Sequence, residues 1–184
     1  MRYYEFYDSP LGRMLLVAND DGLTGVYFDR QKYHPRLESG WRHDARHAPL
    51  HQAQRELAEY FAGERRRFDI ALAPEGTPFQ RAVWKAISMV GFGKTITYGA
   101  LAQRAGFSGS ARAAGAATGR NPIGIIVPCH RIVGSNGSLT GYAGGLERKR
   151  ALLALEDATA ESPTADLLPA AGNLRSREIE WGRP

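Results

Sequence analysis

The feature that most constrains the fold is an apolar run that carries a polar triplet inside it. Residues 121–133 contain two prolines, six β-branched apolar residues and the only cysteine of the chain. Pro128 fixes φ and removes a backbone donor just before Cys129, and it biases Val127 towards an extended conformation. The run therefore predicts a buried strand or turn. The Cys-His-Arg triplet conflicts with that burial, and such local conflicts tend to mark functional sites.

Composition excludes several classes of protein. The chain has 184 residues, a net charge of +5 and one cysteine, which excludes an internal disulfide framework and a cysteine-rich zinc site. A reduced, cytoplasmic setting is expected. The N-terminus is too polar for a signal peptide, and no apolar run approaches the roughly 20 residues of a membrane span, so no membrane is expected. The positive charge permits a polyanionic partner without requiring one.

The first part of the chain reads as a small α/β unit. Three strands separated by turn signals predict an antiparallel meander, over residues 2–7, 12–18 and 23–29. Residues 31–48 lose periodicity and are predicted to form a loop. A helix over about 50–62 ends at Gly63, and a short strand follows over 68–72. Because no chemical motif lies here, we interpret residues 1–75 as a supporting subdomain.

Three histidines in this part have the spacing of a possible metal site. His43, His47 and His51 recur every four residues and would share one face of a helix. Pro49 argues against a continuous helix, and the charged neighbours indicate solvent exposure. We therefore predict no metal site, although imidazole suits several metals.

The second part begins with a strong helix signal and continues as a helix-turn-helix. Thr77 with Gln80 predicts a capping box, with Pro78 at the first helical position. Two further helices are predicted over about 98–105 and 110–118, joined by a short turn containing glycine. The last of these carries almost only minimal side chains around Arg112. Such a helix either packs tightly inside the core or enters a narrow groove of nucleic acid, and the lone arginine favours the groove.

The residues around the cysteine suggest a nucleophile, although a buried free thiol is often inert. A thiolate needs a nearby base or positive field, and His130 is adjacent in sequence. Contact requires a bend at Cys129 or a water between the two groups. A final helix is predicted over about 145–157, with residues 147–150 as its solvated face. Glu156 lies in its last turn, where the helix dipole disfavours a carboxylate, so a specific partner is expected. A hydrogen bond to His130 would complete a Cys-His-Glu triad.

Residues 126–133 closely resemble the active-site signature of O6-alkylguanine-DNA alkyltransferases, also called methylated-DNA–protein-cysteine methyltransferases. Further matches follow the family's order, at Thr77-Pro78-Phe79-Gln80, Trp84, Tyr98, Ala111-Arg112-Ala113, Asn121-Pro122, Tyr142-Ala143-Gly144-Gly145-Leu146 and Glu156. The resemblance covers 77–157 strongly and 1–75 more loosely. It implies an α/β (α+β) fold, in which a ribonuclease H-like antiparallel sheet with a helix precedes a helical domain with a helix-turn-helix. The DNA-binding and alkyl-acceptor domain would span 76–157.

The resemblance implies catalytic roles for five residues. Cys129 would accept the alkyl group. His130 would act as base through a water, oriented by Glu156. Asn121 would brace the turn that holds the site, and Tyr98 would donate a hydrogen bond or proton to the departing guanine and help to rotate the target phosphate.

The resemblance also implies DNA-binding residues. Arg112, with the small residues Ser110 and Ala111 beside it, would fill the gap left by the extruded nucleotide. Tyr142 and the loop through Gly144 and Gly145 would wall the base pocket. The Ala143 N–H would face the guanine oxygen, and the carbonyls of Cys129 and Ile132 would accept from its exocyclic amine.

The function so implied is DNA repair by direct alkyl transfer from O6-alkylguanine, and from O4-alkylthymine, in duplex DNA. A base inside a stacked duplex is out of reach, so the nucleotide must be extruded. The thioether product has no carbonyl for water to attack, which predicts one turnover per molecule. The partner would be double-stranded DNA, bound through its minor groove by a monomer, with or without cooperativity. No cofactor is expected. Neither is the zinc of some relatives, since residues 1–75 lack cysteine.

Two other classes of protein remain open at this point. A cysteine hydrolase would need an oxyanion hole and would turn over repeatedly. A helix-turn-helix protein that only binds lesions would not need Cys129. Residues 158–184 match no motif, and their Ala, Pro, Ser and Thr content predicts a flexible tail, although Ile179 and Trp181 could pack on the body.

Overall fold

The fold begins with the antiparallel meander that the strand signals predict. In the computed structural model, which describes residues 1–160 (158–160 as helical backbone only), β1 (Arg2–Ser9), β2 (Gly12–Asn19) and β3 (Gly22–Phe28) pair antiparallel. The tail prediction for 158–184 falls almost wholly outside the described residues. The core side of the sheet is supplied mainly by β2 and β3, most of whose residues are buried.

The loop predicted over 31–48 is only partly a loop. A three-residue strand, β4 (Trp41–His43), pairs parallel with β1, so the sheet order is β3-β2-β1-β4 and the sheet is mixed. Helix α1 (Ala48–Phe61) also begins earlier than predicted, because Pro49 occupies its first turn. Gly63, at φ 80°, follows its end as predicted.

The prediction of a short strand over 68–72 is wrong. Only an isolated bridge joins Leu72 to Leu23, with hydrogen bonds from Leu23 N to Ala71 O (2.9 Å) and from Ala73 N to Leu23 O (2.8 Å). This stretch therefore seals the open side of β3 without extending the sheet.

Helix α2 (Pro78–Ser88) starts at the predicted capping box. The Thr77 hydroxyl accepts from the Gln80 N–H, and the Gln80 side chain accepts from the Thr77 N–H. Its buried residues include Trp84, whose indole N–H donates to Ala117 O at 2.9 Å. Helix α2 is thereby fixed to the second helix of the helix-turn-helix.

The helix-turn-helix is present as predicted. Strand β5 (Ile96–Thr97) leads into α3 (Tyr98–Arg104), which Thr97 caps through Ala100 N, and α4 (Ala111–Gly119) packs against both α2 and α3. Alanine side chains at the contact allow the backbones to approach closely. The opposite face of α4 remains open.

The cysteine run lies between the sheet and the helices. Pro122 O accepts from Val26 N, and Gly124 N donates to Val26 O, so this run is bonded to the free edge of β3. A 3-10 turn over Cys129–Arg131 then leads into β6 (Ile132–Val133), which pairs parallel with β5. Helix α5 (Leu146–Ala160) closes the structure against the 3-10 turn. No helix of residues 1–160 is long and apolar enough to cross a membrane.

Candidate active site

The turn that holds Cys129 is organised by one buried amide. The Asn121 side chain donates from Nδ2 to Val127 O at 2.8 Å and to the Cys129 sulfur at 3.1 Å, and its Oδ1 accepts from Ile123 N. The 3-10 turn supplies the bend at Cys129 that an extended chain would lack. Asn121 is only 6% exposed, as is Cys129, so these bonds form away from solvent. The amide thus fixes both the turn and the thiol.

Glu156 is the centre of the polar network behind the thiol. Its carboxylate accepts from His130 Nε2 at 2.8 Å and from Arg131 Nε and Nη2 at 2.9 and 2.8 Å. It also accepts from the Tyr60 hydroxyl at 2.9 Å and from Gly93 N at 3.1 Å. Every neighbour is a donor, and Glu156 is fully buried. The sequence prediction of a specific partner for this acid is confirmed.

The protonation states of this network follow from its charges. Burial alone would raise the pKa of Glu156, but hydrogen bonds and charges from His130 and Arg131 outweigh burial and lower it from 4.5 to about 2. Burial lowers the pKa of His130 below 6.5, against the opposing effect of Glu156. A carboxylate can only accept, so a neutral His130 carries its proton on Nε2. Nδ1 is then a free acceptor, and it has no hydrogen-bond partner among residues 1–160.

The surroundings of the Cys129 thiol have opposing effects on its pKa. Burial raises the pKa of Cys129, while the Asn121 hydrogen bond and the Lys149 charge lower it and do not fully offset burial. Within the part of the chain that the structure describes, no hydrogen bond joins the Cys129 sulfur to the His130 ring. The thiol and the imidazole are therefore neighbours in sequence that do not bond directly.

Lys149 is a site residue that the sequence misassigned. The sequence predicts residues 147–150 as a solvated face, and this is wrong for Lys149, which is fully buried. Its Nζ donates to Ile132 O at 2.5 Å and to Thr140 O at 2.8 Å. The spacing of Lys149, Leu152 and Glu156 places them on one helix face, which is the signal that could have found it.

Two further residues were missed because their partners are distant in sequence. Tyr60 belongs to α1, in the part of the chain interpreted as a mere support, yet it donates to Glu156 across 96 positions. Arg131 stands out in the sequence only as part of the triplet, but it also donates to Val90 O at 2.5 Å. No local pattern in the sequence signals either contact.

An open cavity of about 430 Å³ lies where α3, α4, the loop after β3 and the loop before α5 meet, and neither Cys129 nor Ile132 is among the residues that line it. It is lined by residues from four separate segments, namely Lys32, Tyr33, Tyr98, Gly115, Ala116, Gly119, Thr140, Gly141, Tyr142 and Ala143. The Tyr98 hydroxyl donates to Thr140 O at 3.0 Å, and this joins α3 to the loop before α5. Predicted pocket residues Tyr98, Tyr142 and Ala143 therefore line one cavity. Gly144, the next residue after Ala143, is buried against Phe28.

The predicted groove-binding residues lie on α4. Arg112 is exposed, as are Ala113 and Ala116, whereas Ala114 and Ala117 face the core. Ser110 and Ala111 are half-buried at the start of the helix, and the Ser110 side chain makes no capping bond. The packing interpretation is confirmed for Ala114 and Ala117, and the exposed face leaves the groove interpretation as a prediction.

The three histidines occupy separate environments. His43 is in β4 with Nε2 3.1 Å from Glu5 Oε1, His47 precedes α1 with its ring stacked on Tyr3 at 4.0 Å, and His51 is exposed on α1. Across residues 1–160 no group of three His, Cys, Asp or Glu side chains is placed to hold a metal ion.

Comparison with known proteins gives a consistent result over both parts of the chain. The family model described as 6-O-methylguanine DNA methyltransferase, ribonuclease-like domain, matches residues 2–74, and the corresponding DNA binding domain matches 78–158. The methylated-DNA–protein-cysteine methyltransferase of Methanosarcina acetivorans is 46% identical over 84% of this chain and 97% of its own length. That of Mycolicibacterium paratuberculosis is 46% identical over 83% and 91%.

Solved structures agree with the sequence relatives. A crystal structure of Mycobacterium tuberculosis O6-methylguanine methyltransferase superimposes with a TM-score of 0.80 at 44% identity, covering 90% of this chain and 98% of that one. The Mycobacterium tuberculosis OGT in complex with DNA gives 0.78 at 43% identity, over 85% and 94%. This chain belongs to the 6-O-methylguanine DNA methyltransferase family. Its enzyme class is that of the protein-cysteine methyltransferases, and its fold class is the one predicted.

Proposed function

We propose that this chain repairs duplex DNA by transferring the alkyl group of O6-alkylguanine, and of O4-alkylthymine, irreversibly to Cys129. The observation that carries the proposal is the buried His130–Glu156 pair behind a thiol that Asn121 holds in place. This pair leaves an unprotonated ring nitrogen near the only cysteine. The names of the relatives refer to methylated DNA and to O6-methylguanine, and O4-alkylthymine extends the proposal beyond those names.

The first step is removal of the thiol proton. His130 Nδ1 is the acceptor, and a water molecule carries the proton from Cys129 because the two side chains do not bond directly. Glu156, ionised at neutral pH, stabilises the imidazolium that results. The Lys149 charge and the Asn121 amide then favour the thiolate.

The second step is an in-line displacement. The Cys129 sulfur forms a bond to the alkyl carbon while the carbon–oxygen bond breaks, and the electron pair remains on the guanine. The Tyr98 hydroxyl, at the cavity wall, supplies a hydrogen bond to the departing base. The product is an alkyl thioether on Cys129, which nothing in the network can hydrolyse, so each molecule acts once.

The cavity lined by Tyr98 and Tyr142 is the proposed base pocket. Tyr142 packs as one wall, and the Ala143 N–H is directed at the guanine oxygen, with the carbonyls of Cys129 and Ile132 accepting from the exocyclic amine. Gly144 is required to be small, since a Cβ there would lie 2.7 Å from the Tyr142 ring and 3.2 Å from Phe28. Tight walls favour a flat, extruded base.

The bare face of α4 is the proposed DNA-binding surface. Minimal side chains at Ser110, Ala111 and Ala113 allow close approach to the minor groove, and the exposed Arg112 occupies the space that the extruded nucleotide leaves. Division into a supporting subdomain (1–75) and a DNA-binding acceptor domain (76–157), monomeric binding and a cytoplasmic setting belong to the same proposal.

Mass spectrometry tests the proposal directly. After incubation with duplex DNA containing one O6-methylguanine, we expect a methyl-sized gain confined to the peptide carrying Cys129, at no more than one equivalent. Cys129→Ser should show no gain, and a duplex with plain guanine is the control. Continued turnover would indicate a hydrolase, and unmodified protein on bound DNA would indicate a lesion-binding protein; either result would refute the proposal.

A variant of Arg112 tests extrusion separately. Arg112→Ala should slow transfer from duplex DNA far more than reaction with free O6-benzylguanine, because only the duplex requires extrusion of the nucleotide. Arg150→Ala, which removes an exposed arginine from α5, is the matched control and should affect neither rate. Equal losses on both substrates for Arg112→Ala would contradict this role.

A further inference from the structure

The loop after β3 contributes to the substrate cavity, although it belongs to the part of the chain interpreted as a support. Lys32 and Tyr33 line the cavity together with Tyr98 and the 140–143 loop. The Lys32 N–H donates to Ala143 O at 3.1 Å, which ties this loop to the wall of the base pocket. The first part of the chain therefore forms part of the proposed base pocket.

The backbone holds Tyr33 in an uncommon conformation. Its φ is 63°, in the left-handed region that a bulky residue rarely adopts. Gln31 fixes the preceding turn, because its side chain accepts from Phe28 N at 2.9 Å and its carbonyl accepts from His34 N at 3.3 Å. Strained backbone conformations of this kind persist only where the surrounding contacts hold them in place. They occur most often at active sites and ligand-binding sites.

Two cationic side chains lie over the Tyr33 ring, one from the neighbouring residue Lys32 and one from Arg120 at the end of α4. The Arg120 guanidinium carbon lies 3.8 Å from the ring centroid, and Lys32 Nζ lies 5.0 Å away. Arg120 directly follows Gly119, the last residue of α4 and itself part of the cavity lining. Tyr33 is 44% exposed, so the cluster faces solvent at the cavity mouth.

We propose that Lys32 and Arg120 bind the phosphate backbone of the target DNA strand beside the extruded nucleotide, and that Tyr33 is the positioning residue that holds the Arg120 guanidinium over its ring. The inference rests on the proposed function, since it needs DNA at this cavity. It adds to α4 a second DNA contact, to which the first part of the chain contributes Lys32 and Tyr33.

The chemistry of the cluster favours a phosphate over a base. A lysine ammonium and an arginine guanidinium offer only donors and positive charge, which suit phosphate oxygens. Among the described residues that line this cavity none is acidic. The hydrogen bond from Lys32, and to a lesser degree the charge of Arg120, lower the pKa of the Tyr33 hydroxyl against its slight burial, which reflects the same positive field.

Salt-dependent binding distinguishes phosphate contacts from structural effects. Affinity for a duplex containing O6-methylguanine would be measured by fluorescence anisotropy over a series of KCl concentrations, in full-length Cys129→Ser protein so that the substrate is not consumed. Removing a side chain that binds one phosphate should lower the slope of log affinity against log salt by about 1. We expect that change for Lys32→Gln and for Arg120→Gln. Tyr33→Ala should give a smaller change in the same direction, and Tyr33→Phe should restore the wild-type slope.

The matched control is Arg13→Gln. Arg13 is an exposed arginine whose guanidinium carbon lies 4.0 Å from the Phe6 ring centroid, so it is also a cation over an aromatic ring, but it does not line the cavity. Its slope should stay at the wild-type value. With Cys129 intact, Lys32→Gln and Arg120→Gln should lose much more rate with duplex DNA than with free O6-benzylguanine, and Arg13→Gln should change neither rate.

Three results would overturn the inference while leaving the proposed function intact. These are unchanged slopes for Lys32→Gln and Arg120→Gln, an equal change for Arg13→Gln, or a parallel loss with free O6-benzylguanine. If the protein with Cys129 intact transferred no alkyl group from duplex DNA at all, the proposed function itself would fail first.

Discussion

The buried carboxylate of Glu156 offers the sharpest test of the network behind the thiol. In Glu156→Gln the shape of the side chain is kept, but one oxygen becomes an NH2 group. Because Tyr60, Gly93, His130 and Arg131 all donate to this side chain, the new NH2 must face at least one donor. Arg131, only 6% exposed, also loses its counter-charge.

The free energy of unfolding that Glu156→Gln should lose can be estimated in two ways. Removing one partner of a buried ion pair typically costs about 3–5 kcal/mol, since an uncompensated charge remains. The pKa of Glu156, about 2 in the fold against an ordinary 4.5, corresponds to about 3 kcal/mol of interaction with the ionised form. For a chain of this length such a loss lowers Tm by about 10 °C.

Urea and thermal unfolding followed by circular dichroism would measure this loss. Glu147→Gln, an exposed acid at the start of the same helix, is the control and should change stability by less than about 0.5 kcal/mol. Adding Arg131→Met to Glu156→Gln should recover part of the loss, because the unpaired charge is then removed. A Glu156→Gln protein within about 1 kcal/mol of wild type would refute the account of a buried, all-donor site.

Three further outcomes are expected. Wild-type stability should fall as pH drops from 4.5 towards 2, because a depressed carboxyl pKa stabilises the fold only while Glu156 is ionised; urea midpoints would show this, and Glu156→Gln should lack that component. Asn121→Ala removes a hydrogen bond that lowers the pKa of Cys129, so the pH profile of alkylation should move to higher pH; an unmoved profile would argue against thiol activation by this amide. Thr77→Ala should cost about 1 kcal/mol in urea unfolding, with no change in alkylation rate, since it opens only the capping box with Gln80.

Local chemistry in the sequence predicted the elements whose causes are local. Strands β1 to β3 follow from alternation and turn residues, and α2 follows from Thr77 and Gln80. Strand β4 was missed because its pairing with β1 joins residues about 40 positions apart, and Trp41–His43 is too short to show a period. The 68–72 segment has β-forming residues, but only one bridge is available to it at the edge of β3.

In the site, too, features with a local sequence pattern were predicted, and contacts between distant residues were not. The turn residues Asn121 and Cys129 and the pair His130 and Glu156 were predicted as a set because the family's pattern carries them, and their proximity is now seen. Lys149 was misassigned because a lysine is rarely fully buried, and its burial depends on two carbonyls that no local pattern places there. Their roles in transfer stay predictions until the variants are measured.

The turn before the cysteine has one property that extends beyond this protein. Ile125 is buried with φ at 68°, a left-handed conformation that a β-branched residue avoids at a cost of about 1–3 kcal/mol. Bonds from Val26 to Pro122 and Gly124, and from Asn121 across the turn, hold it there. A peptide of residues 121–133 would lack the two bonds from Val26 and the burial that keeps water from the Asn121 amide, so the turn would relax. The signature sequence alone would therefore not carry the reactivity to another protein. Grafting the reactivity onto another scaffold would require the edge of a β-strand and a buried amide in addition to the thiol.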